Sequence, residues 1–596
     1  MLAFRRNSYR LLSALLVITG FAPLARAADS ILDVVPSTAL AWGAVNHMDA
    51  ASEKVQGLAK IVQVPTANLL ESIKKESGLE KGLNEKGAAG FFVVPGKTEK
   101  DPVAGAFFVA VENEKEFLGN FEVVKEGKIS EVKSKSEHGG STSFLAFLHG
   151  YALIADKTDR GALEAAVEAK QSIATEMKGY ESWLAENDAS MVGTAAGIKF
   201  AAKQAQDELK KSKDAGTETP DAAAMMKSLE VYLDKSLQAA PSEFSLVMAG
   251  IRCDKQSAIR LIGRARLVQG GKVAKTIATI PPLKENLLTG VPGGPFVFAM
   301  AGVGIPGMWE GYMNLYGDLM KSLKPMGGMS SDDMDKLTKE SLEAVKQMKS
   351  MSFVMKLGKR SDPIYSNMYA TINVEHSDQL LALQEKYAAA ASKLMQGAKQ
   401  NPIKSITAKR LQVAGKPALQ QEMTFDLSSL PGSEATRPVM DQLLGVGGKM
   451  LMYYVAADDH TVVMGIGVPQ ERMAAAVDVL KQPKKSLAED ADVAVTAAML
   501  PEKSQWVAYV SFRGYSQLIV RFMAAALKTT PGAEGFQLPV FPKSPPLGLA
   551  VKATSDELHV EIAVPPALVQ ATGDYMKEMQ AMILNRMMEQ NHPPAP

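Results

Sequence analysis

Tyr151–Ala166 (YALIADKTDRGALEAA) aligns without a gap on Thr461–Ala476 (TVVMGIGVPQERMAAA). Both read as a strand, a short turn and an alanine-rich helix. Three further matches fall in the same order. Val35 opens VPSTALAWGAV and Val291 opens VPGGPFVFAM, each a proline-led approach to an apolar strand. Asp188-Ala189 runs on to Thr194-Ala195-Ala196 as Asp490-Ala491 runs on to Thr496-Ala497-Ala498, and each reads as a strand ahead of a helix. FSLVMAGIRC with AIRLIGRARLV resembles PLGLAVKAT with LHVEIAV. A period this long excludes a solenoid of short repeats. Two homologous domains are therefore expected, 28–280 and 286–590, behind a leader of residues 1–27 and ahead of a flexible tail, 591–596.

Within each half the pattern predicts an α+β fold, a largely antiparallel sheet with amphipathic helices packed on it. Expected strands are Ala39–Val45, Gly90–Val94, Val103–Glu112 and Ser143–Ala155, then Phe296–Val303, Ser352–Leu357, Ile364–Val374, Ala418–Phe425, Met450–Ala456 and Thr461–Ile466. YSNMYATINV alternates apolar with polar, as a strand with one wet face does. His149-Gly150 and Asp458-Asp459 sit where tight hairpin turns are needed, which favours antiparallel pairing over a doubly wound sheet. Asp332–Met348 has acids early and an apolar stripe, the mark of an amphipathic helix. Lys211–Ala224 and Thr529–Pro546 read as loops at the same point of the repeat.

The chain opens with Arg5, Arg6 and Arg10, an apolar run from Leu11 to Ala22, and Ala25-Arg26-Ala27. That is the order of a cleavable secretion signal, with the cut before Ala28. The run is shorter than the ~20 residues a spanning helix needs. Later apolar stretches, Phe296–Ile305 and Leu547–Ala553, look like buried strands, so no membrane span is expected after cleavage. Lys plus Arg number 66 against 65 acids, which gives no field to draw nucleic acid. Cys253 is the single cysteine, so no intramolecular disulfide forms and core burial must hold the fold. A buried, inert thiol is expected there.

The chemistry-bearing patterns are weak. GVGGKM around Lys449 lacks the rest of a phosphate loop, and GxSxG and HExxH are absent. Ser72 to Lys75 spells Ser-x-x-Lys without companion motifs, which suits a solvated helix face. Asp458-Asp459-His460 pairs acid with imidazole, but a polar hairpin tip explains it better. The seven histidines are scattered. Methionine is abundant, 32 in all, with a cluster from Met300 to Met355 and a stripe at Met576, Met579, Met582, Met587 and Met588. Such a stripe near His592 could hold Cu(I), though an adaptable apolar surface is the commoner use. No catalytic, cofactor-binding or metal-ligating residue is assigned, and no cofactor.

VPSTALAWGAVN, YALIADKTDRGALEAAVEA, and LAEDADVAVTAAML followed by WVAYVSFRGYSQLI resemble a large family of exported bacterial proteins of unknown function, abundant in planctomycetes. GLNEKGAAGFFVV leading into PVAGAFFVAVENEKEFLGNF carries the same resemblance. It implies export and an α+β repeat; it supplies no activity and no catalytic residue. The expectation is a non-enzymatic periplasmic or cell-envelope protein that binds an unknown protein or an apolar ligand. A carrier of a hydrophobic molecule and a hydrolase with a spatially assembled site are the alternatives.

Overall fold

The computed structural model describes residues 27–591 apart from 65–67, 99–100, 136–141, 213–219, 255–257, 281–282, 284–285, 305–330, 360–361, 396–402, 426–439, 446–447 and 528–537. The expected cleavage signal, all but its last residue, therefore lies outside the described residues, as does the tail from His592. The chain divides into two compact units. The first runs to Glu208 and includes Leu237–Gly271 and Asp556–Gly573; the second holds Leu209–Ser236, Lys272–Ser555 and the chain from Asp574. The fold is α+β, and every strand pair described below is antiparallel.

The first unit carries a sheet in the order β4 (Phe121–Lys125), β5 (Ser130–Ser134), β6 (Thr142–Leu148), β7 (Tyr151–Asp156), β3 (Val103–Ala110), β2 (Ala89–Pro95), β1 (Ala41–Val45), β8 (Ala189–Thr194), β9 (Phe244–Cys253), β10 (Ile259–Leu267) and β20 (Glu557–Val564). Its central strands are apolar at successive positions because both faces are covered. Trp42, Phe92, Phe108 and Leu153 point to one face and are buried with Ile31, Leu163 and Trp183, which come from the helices Ala27–Val34, Arg160–Val167 and Glu181–Glu186. Val45 and Val109 point the other way, toward the helix Met48–Val62 and Phe117. Fully burying each such side chain contributes about 1.5–3 kcal/mol, which is how a chain without cross-links holds itself.

The second unit orders β14 (Ile403–Val413), β15 (Lys416–Phe425), β16 (Lys449–Ala456), β17 (Thr461–Ile466), β13 (Met368–Val374), β12 (Met348–Lys356), β11 (Phe296–Val303), β18 (Trp506–Val510) and β19 (Leu547–Ala553). Leu380 and Leu381 of the helix Ser377–Met395 pack on Ile372, Leu419 and Val462. Counted from β1 in one unit and from β11 in the other, the two strand orders coincide through the ninth strand.

Fine contacts coincide too. Pro36 bridges Ser172 as Pro292 bridges Ser486. Ile173 N–H donates to Val35 C=O (2.9 Å) and Leu487 N–H to Val291 C=O (2.9 Å). At the end of β8, Thr194 Oγ1 accepts from Gly197 N–H at 3.1 Å; just after β18, Ser511 Oγ accepts from Gly514 N–H at 3.1 Å. Each hydroxyl satisfies an orphan donor at the start of the following helix, Ala195–Ser212 or Phe512–Leu527.

This corrects the Thr-Ala-Ala alignment. The counterpart of Thr194 is Ser511, and Thr496 lies inside the helix Ala491–Ala497. The reason is the preceding aspartate. Asp490 accepts from Asp492 and Val493 N–H and starts a helix, whereas the Asp188 carboxylate takes the distant Cys253 N–H and Lys54 Nζ and its segment continues as strand. Pro220–Ala224, read as loop, is the start of the helix Pro220–Glu243; proline suits a first helical turn. Residues 213–219 and 529–537 of the two expected loops lie outside the described residues.

One acidic turn gives a pH prediction. Asp159 ends the short helical turn after β7, and burial, reinforced by the Asp156 charge, pushes its carboxyl up to about 6 despite a hydrogen bond from Gly105 N–H. The carboxyl is neutral in both folded and unfolded chains in strong acid. The penalty for ionising it in the folded state grows as pH rises from the ordinary carboxylate range toward about 6 and is complete above that. Asp159→Asn should therefore raise stability by about 1 kcal/mol near neutral pH, allowing for solvent screening of a half-buried group, and change nothing near pH ~3. Thermal unfolding at the two pH values checks this.

Candidate functional site

Between one face of the first unit's sheet and the helices Met48–Val62 and Leu69–Ser77 lies a cavity of about 250 Å³. Leu70, Ile73, Phe107, Val109, Phe121 and Ile154 make its wall mostly apolar. The second helix is held over it by both ends. Asn68 Oδ1 accepts from Glu71 N–H at 3.1 Å, and Gly78 closes the helix in the left-handed region at φ 73°. Polar groups near the cavity are already engaged elsewhere. Ser52 Oγ donates to Asn68 Oδ1 (2.9 Å) and accepts from Leu70 N–H (3.1 Å), and Ser77 Oγ donates to Ile73 C=O (2.7 Å).

Lys74 is the cation at this wall, and it too is committed. Its Nζ lies 2.7 Å from Glu85 and 3.1 Å from Glu71. Those carboxylates hold the ammonium above its ordinary pKa, Glu85 more than Glu71. Two carboxylates on one ammonium leave the cluster with a net negative charge, which disfavours an anionic ligand head. The space suits an uncharged apolar molecule. A closed apolar cavity of about 150 Å³ binds benzene, and this pocket offers an apolar molecule about 250 Å³.

A second, polar cleft of about 760 Å³ lies in the second unit, among the Pro292–Gly294 turn, the end of β12, the helix Gln470–Val479 and the stretch Gln482–Ala491. Arg472 is held by Asp362 at 2.9 Å and by Asn367 at 2.6 Å. Lys356 reaches in from β12 and donates to Gly293 C=O.

The sequence candidates fall in ordinary places. Cys253 is buried at the end of β9. Its backbone N–H donates to Asp188 Oδ2 (2.8 Å), and its C=O accepts from Lys54 Nζ (3.4 Å). Lys54 and Asp188 form an ion pair at 3.0 Å with side chains 6% and 11% exposed. Burial outweighs their attraction. It brings Lys54 down to about 8 and moves Asp188 above the usual carboxylate range. Ser72 and Lys75 lie on the outward side of their helix, Lys75 exposed.

Asp458 Oδ1 accepts from His460 N–H at 2.9 Å, closing the β16–β17 hairpin, and His460 Nδ1 is 2.8 Å from Glu375 C=O. The imidazole is thus bonded to backbone and not oriented by the aspartate. Met576, Met587 and Met588 are exposed on the helix Pro566–Asn591. Met308–Met329 lie outside the described residues. His559, on β20, sits 3.3 Å from the buried Glu561, which also takes Arg260 at 3.3 Å. Among the described residues no helix is long and apolar enough to cross a membrane.

No cavity-lining residue was singled out from the sequence. The one available signal was that β3 is apolar on both faces, FFVA, so that a second covering layer had to exist. Compared with protein-family models, curated proteins and solved structures, the chain matches none.

Proposed function

We propose that this chain is an exported, non-enzymatic binding protein of the periplasm or cell envelope, built from a duplicated unit, whose first unit carries a small uncharged apolar ligand. The cavity under the Leu69–Ser77 helix carries the reading: it is lined by apolar side chains, and its nearby cation is neutralised by Glu71 and Glu85. The coincident strand orders and the paired Val35–Ile173 and Val291–Leu487 contacts support descent from one duplicated unit. Export rests on the leader sequence, Arg5 to Ala27.

Titration with the uncharged fluorescent probe N-phenylnaphthylamine tests the ligand claim. The full chain should bind it in the micromolar range and should bind decanoate at least about tenfold more weakly, as a difference of about 1.4 kcal/mol implies. Ala89→Phe places a ring in the cavity and should abolish binding while leaving the thermal midpoint within a few degrees. Equal binding by the parent and this variant would show that the probe sits elsewhere and end the proposal.

A further inference from the structure

The second unit's cleft contains an amine that nothing in the binding proposal uses. Lys356 closes β12, pairing with Phe296, and its backbone N–H donates to Asn367 C=O at 3.1 Å. The strand thus fixes where the side chain starts. The side chain is half-buried and runs along the Pro292–Gly294 turn. Its Nζ donates to Gly293 C=O and would lie 3.6 Å from a β-carbon on Gly294. The other cations of the cleft differ. Arg472 is paired through Nη1 with Asp362 and Asn367, and Lys484 and Lys485 are exposed on the short turn Pro483–Lys485.

We propose that Lys356 is a nucleophilic amine that captures a small carbonyl compound, an aldehyde or ketone, as an imine within this cleft. The size of the cleft, about 760 Å³, falls within the range of small-molecule sites. Burial shifts the ammonium below its ordinary pKa, with Asp490 opposing, and a desolvated lysine is the form that attacks carbonyls. In the reaction the Nζ lone pair forms a bond to the carbonyl carbon. Both N–H protons pass to the carbonyl oxygen, which leaves as water, and C=N remains. No oxidant or metal enters the balance. Tyr369 lines the same cleft, and burial raises its hydroxyl above the ordinary pKa, so it stays protonated and can donate a hydrogen bond to a bound oxygen.

Reductive trapping on the full-length protein tests this. Propionaldehyde with cyanoborohydride near neutral pH, followed by peptide mass mapping, should place the alkyl label on Lys356 at about tenfold the level of the average exposed lysine. Lys356→Arg should lose that labelled peptide with an unchanged thermal midpoint. If the arginine variant fails to fold, competition on the parent protein serves instead: unlabelled acetone should protect Lys356 ahead of Lys484 and Lys485. Label spread in proportion to exposure would overturn the proposal. So would a Lys356 that reacts only after denaturation in urea.

Discussion

Lys54→Met is expected to lower the unfolding free energy by about 3 kcal/mol, because it leaves the Asp188 carboxylate buried without its cation. The double variant Lys54→Met with Asp188→Gln is expected to recover most of that loss. The second unit supplies the reason. Asn46 N–H donates to Asp188 C=O and Val303 N–H to Gln505 C=O, at 3.1 and 3.0 Å, so Asp188 and Gln505 hold equivalent places before β8 and β18. Gln505 Oε1 accepts from Ala553 N–H at 2.8 Å and its Nε2 donates to Ala553 C=O at 3.0 Å. In the first unit those two tasks, toward Cys253, are divided between Asp188 and Lys54. One neutral amide therefore does in one unit what a buried ion pair does in the other, without desolvating two charges. Urea unfolding of the parent, the single and the double variants decides it. A double variant no more stable than Lys54→Met would mean that the pair does more than tie down the end of β9.

Gly197→Ala and Gly514→Ala should each destabilise by about 3 kcal/mol, the upper part of what overpacking costs. A β-carbon on Gly197 would press into the Leu40 carbonyl, and one on Gly514 into the Phe296 carbonyl. Both targets are backbone, Leu40 just before β1 and Phe296 at the start of β11, so neither can swing aside as a side chain would. The helix after β8, or after β18, would have to lift off its sheet. Gly57→Ala is the control: inside the helix Met48–Val62 with nothing within 4 Å of the new carbon, it should stabilise by about 0.5–1 kcal/mol. Denaturant midpoints of the three variants check the contrast. A mild effect at Gly514 beside a severe one at Gly197 would weaken the equivalence of the two positions.

Local pattern made much of the architecture legible. The strand–turn–helix at Tyr151–Ala166 and at Thr461–Ala476 can be read directly because apolar spacing and turn residues act within a few positions of one another. The same holds for Phe296–Val303 and for FSLVMAGIRC. The strands β4, β5 and β14 were not legible. FEVVK buries only Phe121, SEVKS only Val132, and IKSITAKRLQV leaves most of its length wet. Strands with so little burial take their conformation from the neighbours they pair with, and no period in their own residues records it. Thr496 misled for a related reason: its segment repeats the letters of the Thr194 segment, but the partner chosen by the preceding aspartate decides between helix and strand.

The candidate sites were hidden more completely. Lys54 and Asp188 stand 134 residues apart, and Lys356 meets a carbonyl 63 residues upstream. By itself the sequence determined the α+β class, the antiparallel hairpins and the absence of disulfides, since each follows from neighbouring residues or from a count. Only the tertiary structure decided where Lys54 is buried, that Lys74 is neutralised, and that a cavity lies beneath Leu70 and Ile73. Burial and pairing are properties of surfaces brought together across the chain, and the free energy of a charge depends on which surface it meets.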